Sequence, residues 1–169
     1  KETGIQLRSF AQLALDKTEL VIQQVDIARS EAEKFNGRIC SPAHRYNMLN
    51  IIRGQLYVAD IIYANGNRFL CSTSMAPAEP YIIHAAEYTR SPDISNYYYR
   101  DTPFYSGYKM VYMQHGHYAM VVNPLAYSEV MSDDHSLAYG VYDTVTKAFF
   151  SVSPTADARL LAGLIQNND

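Results

Sequence analysis

A long helical pattern without proline at the start of the chain constrains the fold more than any other feature. Between Ile5 and Phe35 there is no proline, so nothing interrupts a continuous helix. The apolar residues of this stretch are spaced by three, four or seven positions and share one helical face. They are Phe10, Ala14, Val21, Val25, Ala28, Ala32 and Phe35. We predict that this face packs on the core and that Asn36-Gly37 ends the helix in a left-handed conformation.

A second apolar row flanks the first on the same helix. Leu13, Leu20 and Ile27 repeat every seven residues, which makes the apolar stripe wider than packing on a single sheet requires. Two interpretations stay open: the row contacts a second subunit, or the subunit's own sheet covers both rows. Lys17 and Gln24 interrupt any clean coiled-coil seam.

A capped helix and a hairpin follow. Ser41-Pro42 combines a hydroxyl N-cap with proline at the first helical position, which predicts a second helix from Pro42 to Arg53. Leu56 to Tyr63 and Arg68 to Ser72 are rich in β-branched and aromatic residues and flank Asn65-Gly66. Asn-Gly between two such runs predicts two antiparallel strands joined by a tight turn.

The remaining pattern alternates strands and turns and ends in a helix. Strand-like stretches are Tyr81 to Tyr88, Tyr97 to Tyr99, Tyr108 to Gln114, Tyr118 to Asn123, Ala138 to Tyr142 and Ala148 to Val152. We predict a short helix from Pro124 to Met131 and a last, apolar helix from Ala156 to Ile165. Helices at both ends of an antiparallel sheet predict an α+β fold. We expect residues 1–169 to form a single domain.

Charge and hydropathy limit the classes of partner. The 14 Lys and Arg against 17 Asp and Glu give a net charge of -3, which supplies no basic field for a phosphate backbone and argues against nucleic-acid binding. No apolar stretch approaches the roughly 20 residues of a membrane span, and no signal peptide opens the sequence. Lys1 stands where Met would be, and the helical pattern is running by Ile5. We therefore expect a piece of a longer chain.

The two cysteines leave two interpretations open. Cys40 precedes the capped helix and Cys71 lies near the end of the second hairpin strand. A helix that folds back beside this strand would satisfy disulfide geometry, and such a bond persists in an oxidising compartment. The alternative is a pair of buried thiols in a reducing compartment.

The sequence gives little evidence for a metal site or for catalytic residues. His115-Gly116-His117 offers two imidazoles, but a metal site needs further ligands, and an exposed β-turn is favoured. No nucleophile elbow or phosphate-binding glycine loop is present. We therefore predict no catalytic residues, no metal and no cofactor in this chain.

A tyrosine-rich stretch offers a candidate ligand pocket. Tyr97, Tyr99, Arg100, Asp101 and Tyr108 supply aromatic faces, a bidentate cation and a carboxylate. Consecutive strand residues alternate between faces, so neighbouring tyrosines cannot all line one pocket. Solvated sheet decoration is the favoured alternative.

Four segments together carry a family resemblance. They are Cys40-Ser41-Pro42, Leu49-Asn50-Ile51, Tyr57-Val58-Ala59-Asp60-Ile61 and Cys71-Ser72-Thr73. The chain resembles the CSS-motif domain, the periplasmic sensory part of membrane-bound bacterial phosphodiesterases that hydrolyse cyclic di-GMP through a cytoplasmic EAL domain. Thr73 stands where the family name leads one to expect serine, and it keeps the hydroxyl.

The resemblance implies a function for the cysteines and a place for the chain. It implies a PAS-like periplasmic domain between two transmembrane helices of an inner-membrane protein, and a homodimer formed through the terminal helices. Oxidation of Cys40 and Cys71 by the periplasmic disulfide machinery would restrain the phosphodiesterase, and reduction would release it. Catalysis, with magnesium or manganese, would belong to the EAL domain outside this chain. The alternative is a sensor module that binds a small molecule and has a purely structural disulfide.

Overall fold

The structure is a computed structural model that describes residues 2–86, 88–90, 95–124, 140–143, 148–152 and 163. The helices are α1 (Glu2–Glu33) and α2 (Pro42–Arg53). The strands are β1 (Val58–Asn65), β2 (Arg68–Ser72), β3 (Tyr81–Ile82), β4 (Tyr88–Arg90), β5 (Ser95–Arg100), β6 (Met110–His115), β7 (Tyr118–Val122), β8 (Gly140–Asp143) and β9 (Ala148–Val152). A 3₁₀ turn spans Pro103–Tyr105.

The strands form one large antiparallel sheet with the order β3-β2-β1-β7-β6-β5-β4, and β8 pairs with β9. Every adjacent pair is antiparallel. The pairing of β1 with β7 therefore joins the β1–β2 hairpin to the β6–β7 hairpin in one sheet. The α+β class is confirmed.

Tight turns fix the register of both hairpins. Gly66 has φ +59° in the β1–β2 turn, where Asn65 pairs with Arg68, so the hairpin expected from Asn-Gly is confirmed. Gly116 has φ +59° in the β6–β7 turn, where His115 pairs with Tyr118. The histidines of His115-Gly116-His117 thus flank a turn, as the favoured interpretation expects.

The first apolar row of α1 packs on the sheet. Val21, Ala28 and Ala32 are fully buried, and Val25 nearly so. The side chain of Phe10 lies outside the described residues. The second row is exposed: Leu13 by 53%, Leu20 by 41% and Ile27 by 55%. Within the described part of the chain, the subunit's own sheet therefore does not cover this row.

Lys17 and Gln24, which interrupt the heptad pattern, both make contacts at Tyr57 in the same subunit. The Lys17 ammonium lies 4.3 Å from the centroid of the Tyr57 ring. Gln24 Oε1 accepts hydrogen bonds from the backbone amides of Leu56 (3.0 Å) and Tyr57 (2.9 Å). These contacts join the middle of α1 to the start of β1.

The sheet is buried on both faces. Along β1, Ile61 and Tyr63 face the helices, whereas Ile62 and Ala64 face the opposite side. A register shift between Val58 and Asp60 precedes this alternation. The helix-side core contains Met48, Val111, Met113, Met120 and Val122, and the opposite core contains Phe69, Ile83, Tyr98, Tyr112 and Val121.

Two local expectations need correction. Gly37 does not adopt a left-handed φ; its missing side chain instead leaves room for the Phe35 ring, which a Cβ would meet at 2.6 Å. The strand expected from Tyr81 to Tyr88 is limited to Tyr81–Ile82, and β4 starts at Tyr88. Because β3 is so short, it pairs only with the first residues of β2.

Two of the predicted helices fall almost wholly outside the described residues. The helix predicted from Pro124 to Met131 lies almost wholly outside the described residues, as does the one from Ala156 to Ile165, of which only Gly163 is described, in helical conformation. In the described ranges, no helix has both the length and the apolar character that crossing a bilayer requires.

We predict that Gln24→Ala lowers the free energy of unfolding by about 1–2 kcal/mol, because two backbone amides at the start of β1 lose their acceptor. Gln23→Ala, at an exposed neighbour, should change it by less than about 0.5 kcal/mol. Urea denaturation of the two variants measures the difference. Equal stabilities would contradict the assigned bridge between α1 and β1.

Candidate functional site

A disulfide joins the segment before α2 to the second hairpin strand. Cys40 and Cys71 are bonded with an S–S distance of 2.07 Å and Cα atoms 5.8 Å apart, and the described residues contain no free cysteine. Cys71 is fully buried and Cys40 partly buried. The bond therefore joins a residue inside the core to a residue that keeps part of its surface exposed.

The start of α2 places Cys40 by N-capping. Ser41 has φ −65° and ψ 162°, and its Oγ accepts a hydrogen bond from the His44 backbone amide at 3.2 Å. Pro42 follows at the first helical position, where its missing N–H costs nothing. Cys40 itself has φ +56°, a left-handed conformation that a non-glycine residue holds only when its surroundings impose it.

His44 is the buried polar group beside the disulfide. Its Nδ1 accepts a hydrogen bond from the Cys40 backbone amide at 2.9 Å, and its Nε2 lies 2.9 Å from Tyr118 Oη. An amide donor at Nδ1 requires the proton to lie on Nε2, which therefore donates to Tyr118. Burial lowers the pKa of His44, in accord with this neutral tautomer, and burial raises the pKa of Tyr118 to about 12.

Aromatic rings hold the His44 ring in place. Phe35 stacks on it with centroids 4.5 Å apart, and Tyr63 and Tyr118 meet it edge-on at 5.3 and 5.9 Å. Phe35 follows the last residue of α1 closely in the chain. His44 therefore connects the disulfide to the end of the long helix through direct contacts.

Arg45 forms a second connection between α2 and β2. Its Nε donates to the Ser72 carbonyl at 3.2 Å and its Nη2 to the Thr73 carbonyl at 3.3 Å. These bonds run beside the disulfide, from the first turn of the helix to the residues that follow Cys71. The helix is thus joined to the strand both covalently and by a charged donor.

The residues after Cys71 build a tight polar turn. Ser72 is buried, and its Oγ accepts from the amides of Ser74 (3.3 Å) and Met75 (3.1 Å). Asp60 Oδ1 accepts from the Thr73 hydroxyl (2.8 Å), the Thr73 amide (3.2 Å) and the Ile61 amide (2.7 Å). The hydroxyl at position 73 is therefore a donor to a buried carboxylate.

Asp60 also links this turn to the opposite face of the sheet. Tyr105 Oη donates to Asp60 Oδ2 at 3.0 Å, and burial together with the Asp60 carboxylate raises the pKa of Tyr105 well above its usual range. Nearby, Tyr112 Oη and Thr102 Oγ1 are 2.7 Å apart. Burial raises the pKa of Tyr112 to about 12.

We predict that Thr73→Val lowers the free energy of unfolding by about 2 kcal/mol, since the buried Asp60 carboxylate loses a charge-assisted hydrogen bond. Thr73→Ser retains the donor and should stay within about 0.5 kcal/mol of the wild type. Guanidinium denaturation of both variants measures the contrast. A Thr73→Ser variant as unstable as Thr73→Val would show that the hydroxyl is not the determinant.

Tyr112 makes the fold sensitive to alkaline pH. Its pKa in the folded chain is about 12, above the ordinary value of about 10, so its stabilising effect is complete below about pH 10 and is lost as the pH rises through about 12. We expect Tyr112→Phe to remove about 2 kcal/mol of that alkaline loss.

Denaturation curves recorded between about pH 9 and pH 12 test this dependence. Tyr108→Phe is the control, because Tyr108 is 70% exposed, and it should keep the wild-type alkaline loss. An identical alkaline loss in Tyr112→Phe and in the wild type would overturn the assignment.

The residues of the predicted ligand pocket are distributed over several places. Tyr97 and Tyr99 pack against the helix-side core. Arg100 lies over the Tyr98 ring, at 5.2 Å from its centroid, and donates to the carbonyls of His84 (3.3 Å) and Ala85 (2.7 Å). These side chains do not meet in one place, as the alternation of strand residues implies.

The two remaining pocket residues lie beyond β5. Asp101 accepts hydrogen bonds from the Gly107 amide through both carboxylate oxygens (3.1 and 3.0 Å), and Tyr108 is largely exposed. Ligand binding by this stretch stays a prediction.

Three residues of the site were not predicted from the sequence, although two of them carry a signal there. His44 follows the N-cap Ser41 by three positions, where a side chain returns to the helix start. Asp60 is the one acidic residue inside the apolar run of β1, which indicates a buried partner. Tyr118 begins a strand whose residues are all buried, and only its contact with His44 reveals its role.

Comparison with known families places the chain. Residues 3–168 match the family described as the CSS motif domain associated with EAL. No solved structure matches the chain.

Proposed function

This chain belongs to the CSS-motif family, whose domains are associated with EAL, and from that premise we propose that it is the redox-sensing part of a longer membrane protein. Its disulfide state would control a cyclic di-GMP phosphodiesterase in an EAL domain of the same parent chain. The sensing part would lie in the periplasm, where disulfide-forming enzymes oxidise Cys40 and Cys71. Magnesium or manganese would act in the EAL domain, outside this chain.

The observation that supports the proposal most strongly is the position of the disulfide, between a partly exposed cysteine and a buried one. Cys40 is partly exposed and Cys71 is buried, so an incoming thiolate reaches the Cys40 sulfur first. Displacement of the Cys71 thiolate then breaks the cross-link between the segment before α2 and β2. Exchange chemistry of this kind depends on such access.

Direct contacts lead from the disulfide to the long helix. Cys40 donates its amide to His44, and His44 stacks on Phe35 just beyond the end of α1. Opening the disulfide frees Cys40 to leave its left-handed conformation, which removes the amide donor from the His44 ring. A change in the packing of His44 then reaches the C-terminal end of α1. The two redox states would thus favour different positions of this helix.

We propose that a homodimer transmits this change. The exposed row of Leu13, Leu20 and Ile27 gives α1 an apolar edge that the described residues leave uncovered. Pairing of these edges in two subunits would bury them. A shift at the end of α1 would then alter the spacing of paired helices that lead toward the membrane.

A sensor module that binds a small molecule, of the PAS-like kind, is the alternative. Arg100 is the cation that was expected to bind the ligand. Its guanidinium instead donates hydrogen bonds to the carbonyls of His84 and Ala85. Tyr97 and Tyr99 pack against the helix-side core, away from that cation. These observations favour the redox proposal over this one.

We predict that the full-length parent carrying Cys40→Ser and Cys71→Ser shows the same high phosphodiesterase activity with and without reductant. The wild type should be restrained when oxidised and rise in activity on reduction. Ala43→Ser, an exposed substitution in the same helix, serves as a matched control and should keep the wild-type response. Hydrolysis of cyclic di-GMP by membranes from each strain provides the measurement.

Two results would contradict the proposal. One is a double serine variant with the wild-type activity in both conditions. The other is a wild type whose activity does not respond although free-thiol assays show that the disulfide has opened.

A further inference from the structure

Three side chains that can bind a metal, Cys40, His44 and Cys71, meet at the disulfide, and the proposed function uses none of them as a metal ligand. The ligand atoms of Cys40, His44 and Cys71 all lie within 4.8 Å of one another. We propose that reduction of the disulfide converts this cluster into a Zn²⁺ site with two thiolates and one imidazole as ligands. Cys40 is partly exposed, so a water molecule from solvent can complete the tetrahedron, as in zinc sites with three protein ligands.

The tautomer of His44 suits this role. The Nδ1 lone pair points toward Cys40, whose amide it accepts at 2.9 Å, and the Nε2 proton is directed to Tyr118 Oη at 2.9 Å. A metal-bound histidine characteristically donates its second ring nitrogen to a neighbouring acceptor, which fixes the ring. Tyr118 is thus already placed as the positioning residue for a metal at Nδ1.

The Cys40 backbone supplies the step that exposes Nδ1. Cys40 has φ +56°, and the disulfide helps to hold it there. Once the bond opens, Cys40 can return to an ordinary φ, and its amide turns away from the ring. The lone pair of Nδ1 then faces the two released sulfurs.

The distances fit zinc. Two thiolates on a tetrahedral zinc ion lie about 3.8 Å apart, given Zn–S bonds of about 2.3 Å. Two cysteines with Cα atoms 5.8 Å apart reach this separation by side-chain rotation. Two thiolates with an imidazole are a ligand set that zinc prefers to harder cations.

Non-covalent contacts keep the ligands together after reduction. Arg45 still binds the carbonyls of Ser72 and Thr73, and His44 still contacts Tyr118. The helix therefore remains beside β2, and the thiols are not carried apart.

The chemistry balances with a protein dithiol as the reductant. Its thiolate attacks Cys40 Sγ, the Cys40–Cys71 bond breaks, and Cys71 leaves as a thiolate that takes up a proton. The second thiol of the reductant then resolves the mixed disulfide, so the reductant becomes a disulfide and Cys40 a thiol. Zinc displaces the two thiol protons when it binds.

The inference deepens the proposed function and rests on it in one respect: the disulfide must open in the folded chain. It adds that zinc retains the chain in its reduced form, because metal-bound thiolates must be released before they are oxidised again. The sensor would then respond to zinc as well as to reductant.

The test is zinc titration of the reduced 169-residue chain. The protein is reduced with a phosphine, freed of reductant without air, and titrated with Zn²⁺ against a colorimetric chelator. We expect one zinc per reduced chain and none per oxidised chain. Co²⁺ in place of zinc should give thiolate-to-cobalt charge-transfer absorption and the visible bands of a tetrahedral ion.

Variants separate a ligand from a structural residue. His44→Gln should lower zinc affinity by about 100-fold or more, and Tyr118→Phe by about 10-fold, since loss of an outer partner typically costs 10–100-fold. Tyr118→Phe keeps the ring and should fold even where His44→Gln does not. His84→Gln, at an exposed histidine, is the control and should bind as the wild type does.

Each result has a distinct meaning. Reduced wild type that exposes two thiols but binds no zinc overturns the zinc site and leaves redox control intact. Thiols that appear only after the chain is unfolded overturn the zinc site and the proposed function together. Wild-type zinc affinity in both His44→Gln and Tyr118→Phe also overturns the zinc site.

Discussion

The bond between Cys40 and Cys71 is the constraint on which the rest of the site depends. It joins the loop before a capped helix to the second strand of a hairpin, and it places a left-handed cysteine against the ring of a buried histidine. That ring packs on Phe35 beyond the long helix and contacts Tyr118 on a central strand. One covalent link thereby brings together both described helices and the centre of the sheet.

The polar groups around this link divide into two sets with different roles. Arg45, Asp60 and Thr73 fix the turn after Cys71 through charged hydrogen bonds, which do not depend on the state of the sulfurs. His44 and the Cys40 amide form the contact that, in the proposed function, depends on it. On that proposal the site would combine a rigid frame with one element that has two accessible arrangements, which is what a switch requires.

Much of the fold follows from local sequence signals. The Ser41-Pro42 cap marks the start of the second helix, and Asn65-Gly66 marks the turn of the hairpin, because both signals act through the backbone of adjacent residues. The buried row of α1 follows in the same way from its spacing. By contrast, Gly37 follows a packing requirement with Phe35 that spacing cannot reveal, since it depends on where a ring lies in space.

The two cysteines of the candidate site could be predicted from the sequence, but the residues that surround them could not. Cys40 and Cys71 stand out by family resemblance and by the scarcity of cysteine. His44 contacts Tyr118 across 74 positions and Asp60 contacts Thr73 across 13 positions, and no local pattern encodes such separations. The tyrosine stretch illustrates the reverse case: Tyr98 and Tyr99 are adjacent in sequence but pack in different cores on opposite faces of β5.

Hydrogen exchange of the chain in its oxidised and reduced forms tests whether the disulfide controls the packing of His44 and the end of α1. We expect faster exchange on reduction at the amides of Cys40 and His44 and at the end of α1, with unchanged protection in the centre of β6 and β7. Thiol counts on the same samples establish the redox state. Identical exchange in both forms, with the disulfide demonstrably open in one of them, would contradict the account.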